Sequence, residues 1–206
     1  MSNLDFEKEL WDSNYKYICG IDEVGRGCLA GPLYSGATIL KNTDELNTDI
    51  FSEINDSKKI SENKREKLYD YIKKIAYISV GICSVEEIDE IGIQNAVKLS
   101  MVRAINNLEI KPEYLLIDSM VLDIDIPQKS IIKGDQKSKS ISAASIVAKV
   151  ERDNLMKLEY AKNFPDYNFE KNKGYGTKKH IEAINEFGIT NIHRKTFEPI
   201  KSMIEI

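Results

Sequence analysis

The 206-residue chain is poor in the residues that build covalent or thiolate frameworks: three cysteines, two histidines, five prolines and one tryptophan. Cys19, Cys28 and Cys83 are odd in number and lack Cys-x-x-Cys spacing. That argues against a disulfide frame or a zinc site and fits free thiols in a reducing cytoplasm. His180 and His193 are too few and too far apart in sequence to name a general base. No apolar run approaches the ~20 residues of a membrane span. The polar, acidic start, Met1 to Asp12, is unlike a secretory signal. A cytoplasmic protein with no membrane partner is therefore expected. Without a Gly-x4-Gly-Lys-Ser/Thr sequence, ATP hydrolysis is unsupported; without a Gly-x-Ser-x-Gly elbow, so is acyl transfer. No small-molecule cofactor is expected. Nor is there an internal repeat, a Pro/Gly/Ser-rich linker or a low-complexity tract, so residues 1–206 read as a single domain, with about 1–16 as an N-terminal extension.

What remains is 42% apolar and 30% charged, enough for a sizeable core under a well-solvated surface. Net charge is −4, but unevenly spread. Gln128 to Lys195 carries 14 Lys/Arg against 8 Asp/Glu, a local balance of +6, while the rest carries 15 against 25. A basic segment on an acidic protein suits a localised phosphate-binding face, although lysine-rich helices are often merely solvated.

Apolar periodicity orders the elements. Tyr17–Ile21 reads as a buried strand and Leu33–Leu40 as a second, joined as a hairpin around Gly31-Pro32. Residues 41–57 read as a loop with a short helix. Ser61 should cap a helix over Glu62–Lys74. Ala76–Ser84 reads as a third strand, Val85–Glu90 as a helical turn and Gly92–Leu108 as a helix. Strands follow at Tyr114–Ile117 and Ser130–Ile132. A long helix runs from Ser140 to Leu158, with small residues in its first half. Another, Thr177–Phe187, ends at Gly188. Strands that first meander and then alternate with helices predict an α/β layered domain on a mixed central sheet.

Three of these strands deliver acids at their ends: Asp22-Glu23, Asp118, and Asp135 after the strand at 130–132. Strand ends are where α/β sheets form sites. Carboxylates without a histidine–cysteine cluster select a hard cation, Mg²⁺ or Mn²⁺. A pair of such ions suits phosphodiester cleavage. Both Asp22 and Glu23 can serve one site only if the strand ends or twists at Glu23, because successive strand residues face opposite ways. Directly behind them, Gly25-Arg26-Gly27 offers close backbone approach and a planar cation suited to phosphate. An Asp-Glu pair with a Gly-x-Gly is also an ordinary solvated turn.

The ordered set is more specific than its parts. The glycine-loop motif at 18–27, Asp-Ser-Lys-Lys-Ile-Ser at 56–61, Gly134-Asp135 with Ser138, the run Ser142 to Asp153, Gly174-Tyr175-Gly176-Thr177 with His180, and His193 to Phe197 resemble type 2 ribonuclease H (ribonuclease HII) from about Tyr17 to Phe197. The resemblance implies a ribonuclease H-like fold: a mixed central sheet flanked by helices. A small C-terminal helical part, about 160–206, would complete the substrate cleft. It implies an endonuclease that hydrolyses the RNA strand of RNA–DNA hybrids. The same enzyme would cut 5′ of single ribonucleotides embedded in duplex DNA, by two-metal-ion chemistry leaving 3′-hydroxyl and 5′-phosphate ends.

By the same resemblance, Asp22, Glu23, Asp118 and Asp135 match the catalytic metal-site carboxylates, for Mn²⁺ or Mg²⁺. Gly25, Arg26 and Gly27 match the loop that recognises the 2′-hydroxyl at the RNA–DNA junction, and Tyr175 the tyrosine that stacks near the following deoxyribose. Lys58, Lys59, Ser138, Lys149, Arg152, Lys178 and Arg194 are candidates for phosphate contact or site support. Ser119 stands where the family usually has glycine, and Cys28 where proline is common. A monomer acting on hybrid and ribonucleotide-containing duplex DNA is expected. The alternatives are a type 3 ribonuclease H acting on longer hybrids, disfavoured because only 16 residues precede Tyr17; a structure-specific DNA nuclease; and a non-catalytic hybrid-binding module.

Overall fold

The computed structural model describes every residue except 1, 42–45, 47, 56, 58–59 and 205–206. Candidate residues Lys58 and Lys59 lie outside the described residues. In chain order the elements are α1 (Asp5–Asp12), β1 (Ile18–Val24), β2 (Leu33–Leu40), α2 (Asp49–Ser52), α3 (Glu62–Ile75), β3 (Ala76–Cys83), α4 (Val85–Ile91), α5 (Ile93–Asn106), β4 (Tyr114–Asp118), β5 (Gln128–Ile131), a 3₁₀ turn (Gly134–Gln136), α6 (Lys139–Leu155), a π-helical turn (Met156–Tyr160), α7 (Ala161–Asn163), α8 (Phe169–Asn172), α9 (Lys178–Phe187) and α10 (Ile200–Ile204).

The described strands form one mixed sheet in the order β3-β2-β1-β4-β5. β1 to β3 are an antiparallel meander, with Ile21 opposite Ala37. β4 then joins the other side of β1 in parallel, and β5 joins β4 in parallel. Strand alternation sends Cys19 and Ile21 to one face, where they pack with Leu33, Ala37, Val97 and Met101, the last two from α5. The opposite face is covered by α6, whose Ala143, Ile146 and Val147 form a second core with Leu68 and Ile72 of α3. Full burial of a side chain such as Ile146 contributes about 1.5–3 kcal/mol.

α6 lies unusually close to the sheet because glycines face it. A Cβ on Gly36 would sit 2.2 Å from the Ala144 carbonyl oxygen, and one on Gly20 2.1 Å from the Ser140 carbonyl carbon. The small residues in the first half of α6 and these two strand glycines are thus two sides of one contact.

The first strand runs beyond the Ile21 boundary read from the sequence, through Asp22 and Glu23 to Val24, still paired with β2. The N-terminal extension carries a helix of its own. α1 is held against the domain by Phe6, Leu10 and Trp11, and its Glu7 is fully buried. Glu7 Oε1 accepts bonds from the Ser138 hydroxyl (2.5 Å), the Ser140 hydroxyl (2.6 Å) and the Ser140 N–H (2.9 Å). A carboxylate there answers both the exposed N–H groups and the positive end of α6. Glu7→Ala leaves those donors buried without an acceptor and is expected to cost about 2–4 kcal/mol, read as a shift of the urea midpoint.

Candidate active site

Asp22 and Asp118 come side by side because β1 and β4 run parallel in register. Ile21 pairs with Ile117, and each aspartate is the next residue. Asp118 closes β4, and the following residue, Ser119, adopts φ +51°. That left-handed backbone favours glycine. Here the Ser119 hydroxyl donates back to Asp118 Oδ1 at 3.1 Å. The Gly134 N–H donates to the same oxygen at 2.7 Å, which ties β4 to the 3₁₀ turn holding Asp135. Asp135 is buried, and the Ser142 hydroxyl of α6 grips its carbonyl at 2.6 Å.

Asp22 is 5% exposed. Its carboxyl is held well above the usual aspartate range, first by burial and then by the charge of Glu23, with Asp118 and Asp135 adding to the effect; a bond from Ser145 acts the other way. The four acids therefore share one electrostatic field. Among the described residues, the side chains as positioned give no group of three or more acids, histidines or cysteines that could hold a metal ion. The set fits a cation on chemical grounds: it is all oxygen, partly desolvated and mutually repelling, as suits Mg²⁺ or Mn²⁺. Arg26 lies 3.6 Å from Glu23 at the rim, with its side chain 45% exposed.

The glycine loop meets Tyr175 by a route the sequence does not show. Residues 28–31 thread between two C-terminal loops. Cys28 bridges Tyr175, and Ala30 bridges His193. Leu29 N–H and Ala30 N–H both donate to the Gly174 carbonyl, and Arg194 N–H donates to the Leu29 carbonyl. Cys28 N–H donates to Gly25, a bond proline at this position could not make. Tyr175 then lines a cleft of about 370 Å³ with Glu23, Ser145 and Lys149. Burial pushes the Tyr175 hydroxyl up to about 12. Lys149 Nζ sits 5.5 Å from its ring centroid and 2.8 Å from Asp153. A larger cavity of about 500 Å³ opens at the other end of the sheet, beside Tyr17, Leu40 and Tyr77, far along the strands from the acids.

Several candidate phosphate contacts turn out to be internal. Ser138 is fully buried, bonded to Glu7, and accepts from Ile141 N–H as the cap of α6. Arg194 is fully buried, with its guanidinium on the carbonyls of Gly31 and Arg26. Arg152, also fully buried, donates to the carbonyls of Ala30, Pro32 and Lys173. Both arginines clamp the glycine loop from beneath rather than meeting solvent, so they support the site and leave no group for a phosphate. Lys178 is the opposite case, 91% exposed and 3.8 Å from Glu182 on its own helix. Arg65 of α3 escaped the sequence reading. It lines the cleft, donates to the Ser57 carbonyl and lies 3.6 Å from Asp153. Its burial among charged neighbours on a charged helix left no pattern to find.

Comparison with known proteins follows this geometry. A family model described as ribonuclease HII matches residues 19–200. A curated ribonuclease HII from Bacillus cytotoxicus is 53% identical over 201 residues, covering 97% of this chain and 75% of that protein. The crystal structure of ribonuclease H2 from Pyrococcus horikoshii superposes with a TM-score of 0.74 at 28% identity, covering 92% of this chain and 97% of that one. Bst-RNase HIII in complex with Mn²⁺ shares the fold at a TM-score of 0.67 and 16% identity, covering 92% of this chain and 69% of that one.

Proposed function

This chain belongs to the ribonuclease HII family, a ribonuclease H endonuclease, and from that premise we propose that it cuts 5′ of single ribonucleotides embedded in duplex DNA as well as within RNA–DNA hybrids. The observation that carries the reading is a juxtaposition. The field of four carboxylates and the Gly25–Gly27 loop lie on one rim, and backbone bridges bring Tyr175 to it. One half suits a scissile phosphate, the other the sugar beside it. Only a 2′-hydroxyl distinguishes RNA from DNA locally, and glycine amides can approach it without a side chain intervening.

Asp22, Glu23, Asp118 and Asp135 would hold divalent ions, Mg²⁺ or Mn²⁺; the Mn²⁺ bound by Bst-RNase HIII on the same fold supports that choice. Such ions supply an activated water and charge neutralisation at the leaving oxygen. The protein's own part is positional. Asp118 is fixed by Gly134 and Ser119, Asp135 by the grip of Ser142 on its backbone. Arg26 at the rim offers a planar cation to an incoming phosphate. Tyr175 presents an aromatic face for a sugar or base beyond the cut.

A gel assay tests the reading, on a duplex carrying one embedded ribonucleotide, a long RNA–DNA hybrid and an all-DNA duplex, with Mg²⁺, Mn²⁺ or chelator. Metal-dependent cleavage 5′ of the lone ribonucleotide, leaving a 3′-hydroxyl, is expected. Cleavage of the long hybrid alone points to type 3 behaviour and cleavage of the all-DNA duplex to a DNA nuclease; binding without turnover removes the catalytic claim. Tyr175→Ala should reduce the preference for the junction about tenfold, in line with about 1–3 kcal/mol for an aromatic stacking contact. Unchanged cleavage positions and rates in that variant reject the stacking role.

A further inference from the structure

His180 and His193 stand outside the acid cluster, and both are fully buried in the C-terminal part. The fold closes their thirteen-residue separation until the two Nε2 atoms face each other at 3.1 Å. Their outer nitrogens are committed. The Thr190 backbone N–H donates to His193 Nδ1 at 2.8 Å, so that nitrogen carries no proton. The Tyr175 carbonyl lies 2.9 Å from His180 Nδ1. A carbonyl only accepts, so this nitrogen does carry one. A neutral imidazole holds a single ring proton. His193 is therefore protonated on Nε2 and His180 is bare there, and the central contact is one N–H···N bond from His193 to His180. The chain runs in one direction, Thr190 to His193 to His180 to Tyr175, and every donor meets an acceptor.

The surroundings favour two neutral rings. Tyr167 and Phe169 pack their rings against both histidines, and the Tyr167 hydroxyl is turned away to the Gly188 carbonyl. Burial draws both imidazoles below the ordinary histidine range, His193 to about 4 with His180 contributing. A second proton on His180 would set two N–H groups against each other across the central contact, and one on His193 would set Nδ1–H against the Thr190 N–H.

The far end of this chain is the tyrosine of the cleft. Gly174, at φ +83°, and Gly176 flank Tyr175 and bring no side chains to hold it. Its peptide is fixed instead by hydrogen bonds: its N–H to the Asn172 carbonyl, and its carbonyl from Thr177 N–H and His180. We propose that the His193–His180 pair is a positioning device for Tyr175. It anchors the tyrosine's carbonyl from inside the C-terminal core and thereby sets how sharply the site distinguishes an RNA–DNA junction from continuous RNA. The two histidines are positioning residues and touch no substrate. The inference rests on the reading of Tyr175 given above.

The test compares kcat/KM on the embedded-ribonucleotide duplex with that on a long hybrid, in full-length protein. His180→Phe keeps a buried ring and removes the donor. His180→Asn keeps a short donor near the position of Nδ1. Tyr175→Ala is the reference. The expected result is a roughly tenfold fall in the junction-to-hybrid ratio for His180→Phe, the scale on which small misplacements act. His180→Asn should restore most of it, a rescue that loss of packing alone would not produce. An unchanged ratio in His180→Phe, with a lowered one in Tyr175→Ala, overturns the positioning role and leaves the tyrosine reading intact. An unchanged ratio in Tyr175→Ala overturns both. A long-range ¹H–¹⁵N spectrum of the wild-type imidazoles needs no variant to fold. It should show two neutral rings, protonated on His193 Nε2 and His180 Nδ1; an imidazolium or the opposite tautomers at neutral pH would overturn the proposal.

Discussion

Asp22→Asn is expected to abolish turnover and to raise thermal stability in the same protein. The wild-type carboxyl is almost fully buried, and its affinity for a proton is raised by burial, by Glu23 and by the two more distant acids. The sign follows from linkage. A group whose folded pKa lies above its unfolded value binds a proton more tightly in the native state. Its favourable contribution is complete at low pH and is lost as pH rises from the ordinary aspartate value, 3.8, through the raised one. Above the ordinary aspartate range Asp22 therefore destabilises the fold in the absence of a bound cation. Asparagine keeps the shape and an acceptor for the Glu23 N–H, which lies 2.8 Å from Oδ1. The gain should be about 1–3 kcal/mol. In a chelator-treated sample that corresponds to a melting temperature higher by about 2–8 °C. Turnover should fall about 10³-fold or more, as expected when a charge that anchors the reacting centre is removed. Adding Mn²⁺ should raise the melting temperature of the wild type by mass action and have much less effect on the variant. Calorimetry with chelator and with Mn²⁺, beside the gel assay, separates the claims. A variant no more stable than wild type in chelator would refute the electrostatic strain. Near-normal cleavage would remove Asp22 from the chemistry.

Gly25→Ala should be nearly as damaging, for a steric reason. Gly25 has φ +89°, and a Cβ added there would lie 2.3 Å from Nε of Arg152. That side chain has no room to yield, because it is fully buried and holds three backbone carbonyls from two segments. Moving it strands those carbonyls and loosens the clamp between the 30–32 turn and Lys173. The backbone strain, about 1–2 kcal/mol, and the lost charged hydrogen bonds, each about 1.5–3 kcal/mol, predict a destabilisation of several kcal/mol and loss of cleavage. Gly27→Ala is the control. Nothing lies within 4 Å of a Cβ at Gly27, and its φ is not positive. Its stability should stay within about 0.5 kcal/mol of wild type. A loss of cleavage in Gly27→Ala at unchanged stability would then report close approach of substrate to the loop. Urea denaturation of both variants decides. A Gly25→Ala protein of wild-type stability would refute the packing argument.

Local pattern was enough for most of the architecture. β2 runs over Leu33–Leu40 as its small and β-branched residues predict, in the expected hairpin with β1. α9 is capped by Thr177 and ends at Gly188. These features are legible because periodicity of 2.0 or 3.6 residues and turn chemistry act over a few neighbours. The placement of acids at strand ends was legible for the same reason. Ser61 was legible as the residue before α3, but its hydroxyl makes no capping bond.

What escaped was how several charged or polar side chains face inward. α1 hid behind its acids: Asp5, Glu7, Glu9 and Asp12 give the segment a solvated look, yet Glu7 closes the start of α6, more than 130 residues away. Arg152 and Arg194 read as candidates for phosphate contact or site support, and they bind backbone carbonyls. His180 and His193, too far apart in sequence to name a base, share a hydrogen bond. Whether a charge is solvated or buried depends on the partners that meet it, and those partners come from distant segments of chain. Water-to-interior transfer of a charge or polar group is unfavourable until such partners are in place. The sequence by itself therefore determined the strands, the helices after the first, and which acids follow apolar strands. The tertiary structure alone decided which charges bind inward to hold the glycine loop and Tyr175, because only the closed fold supplies the carbonyls, hydroxyls and rings that compensate them.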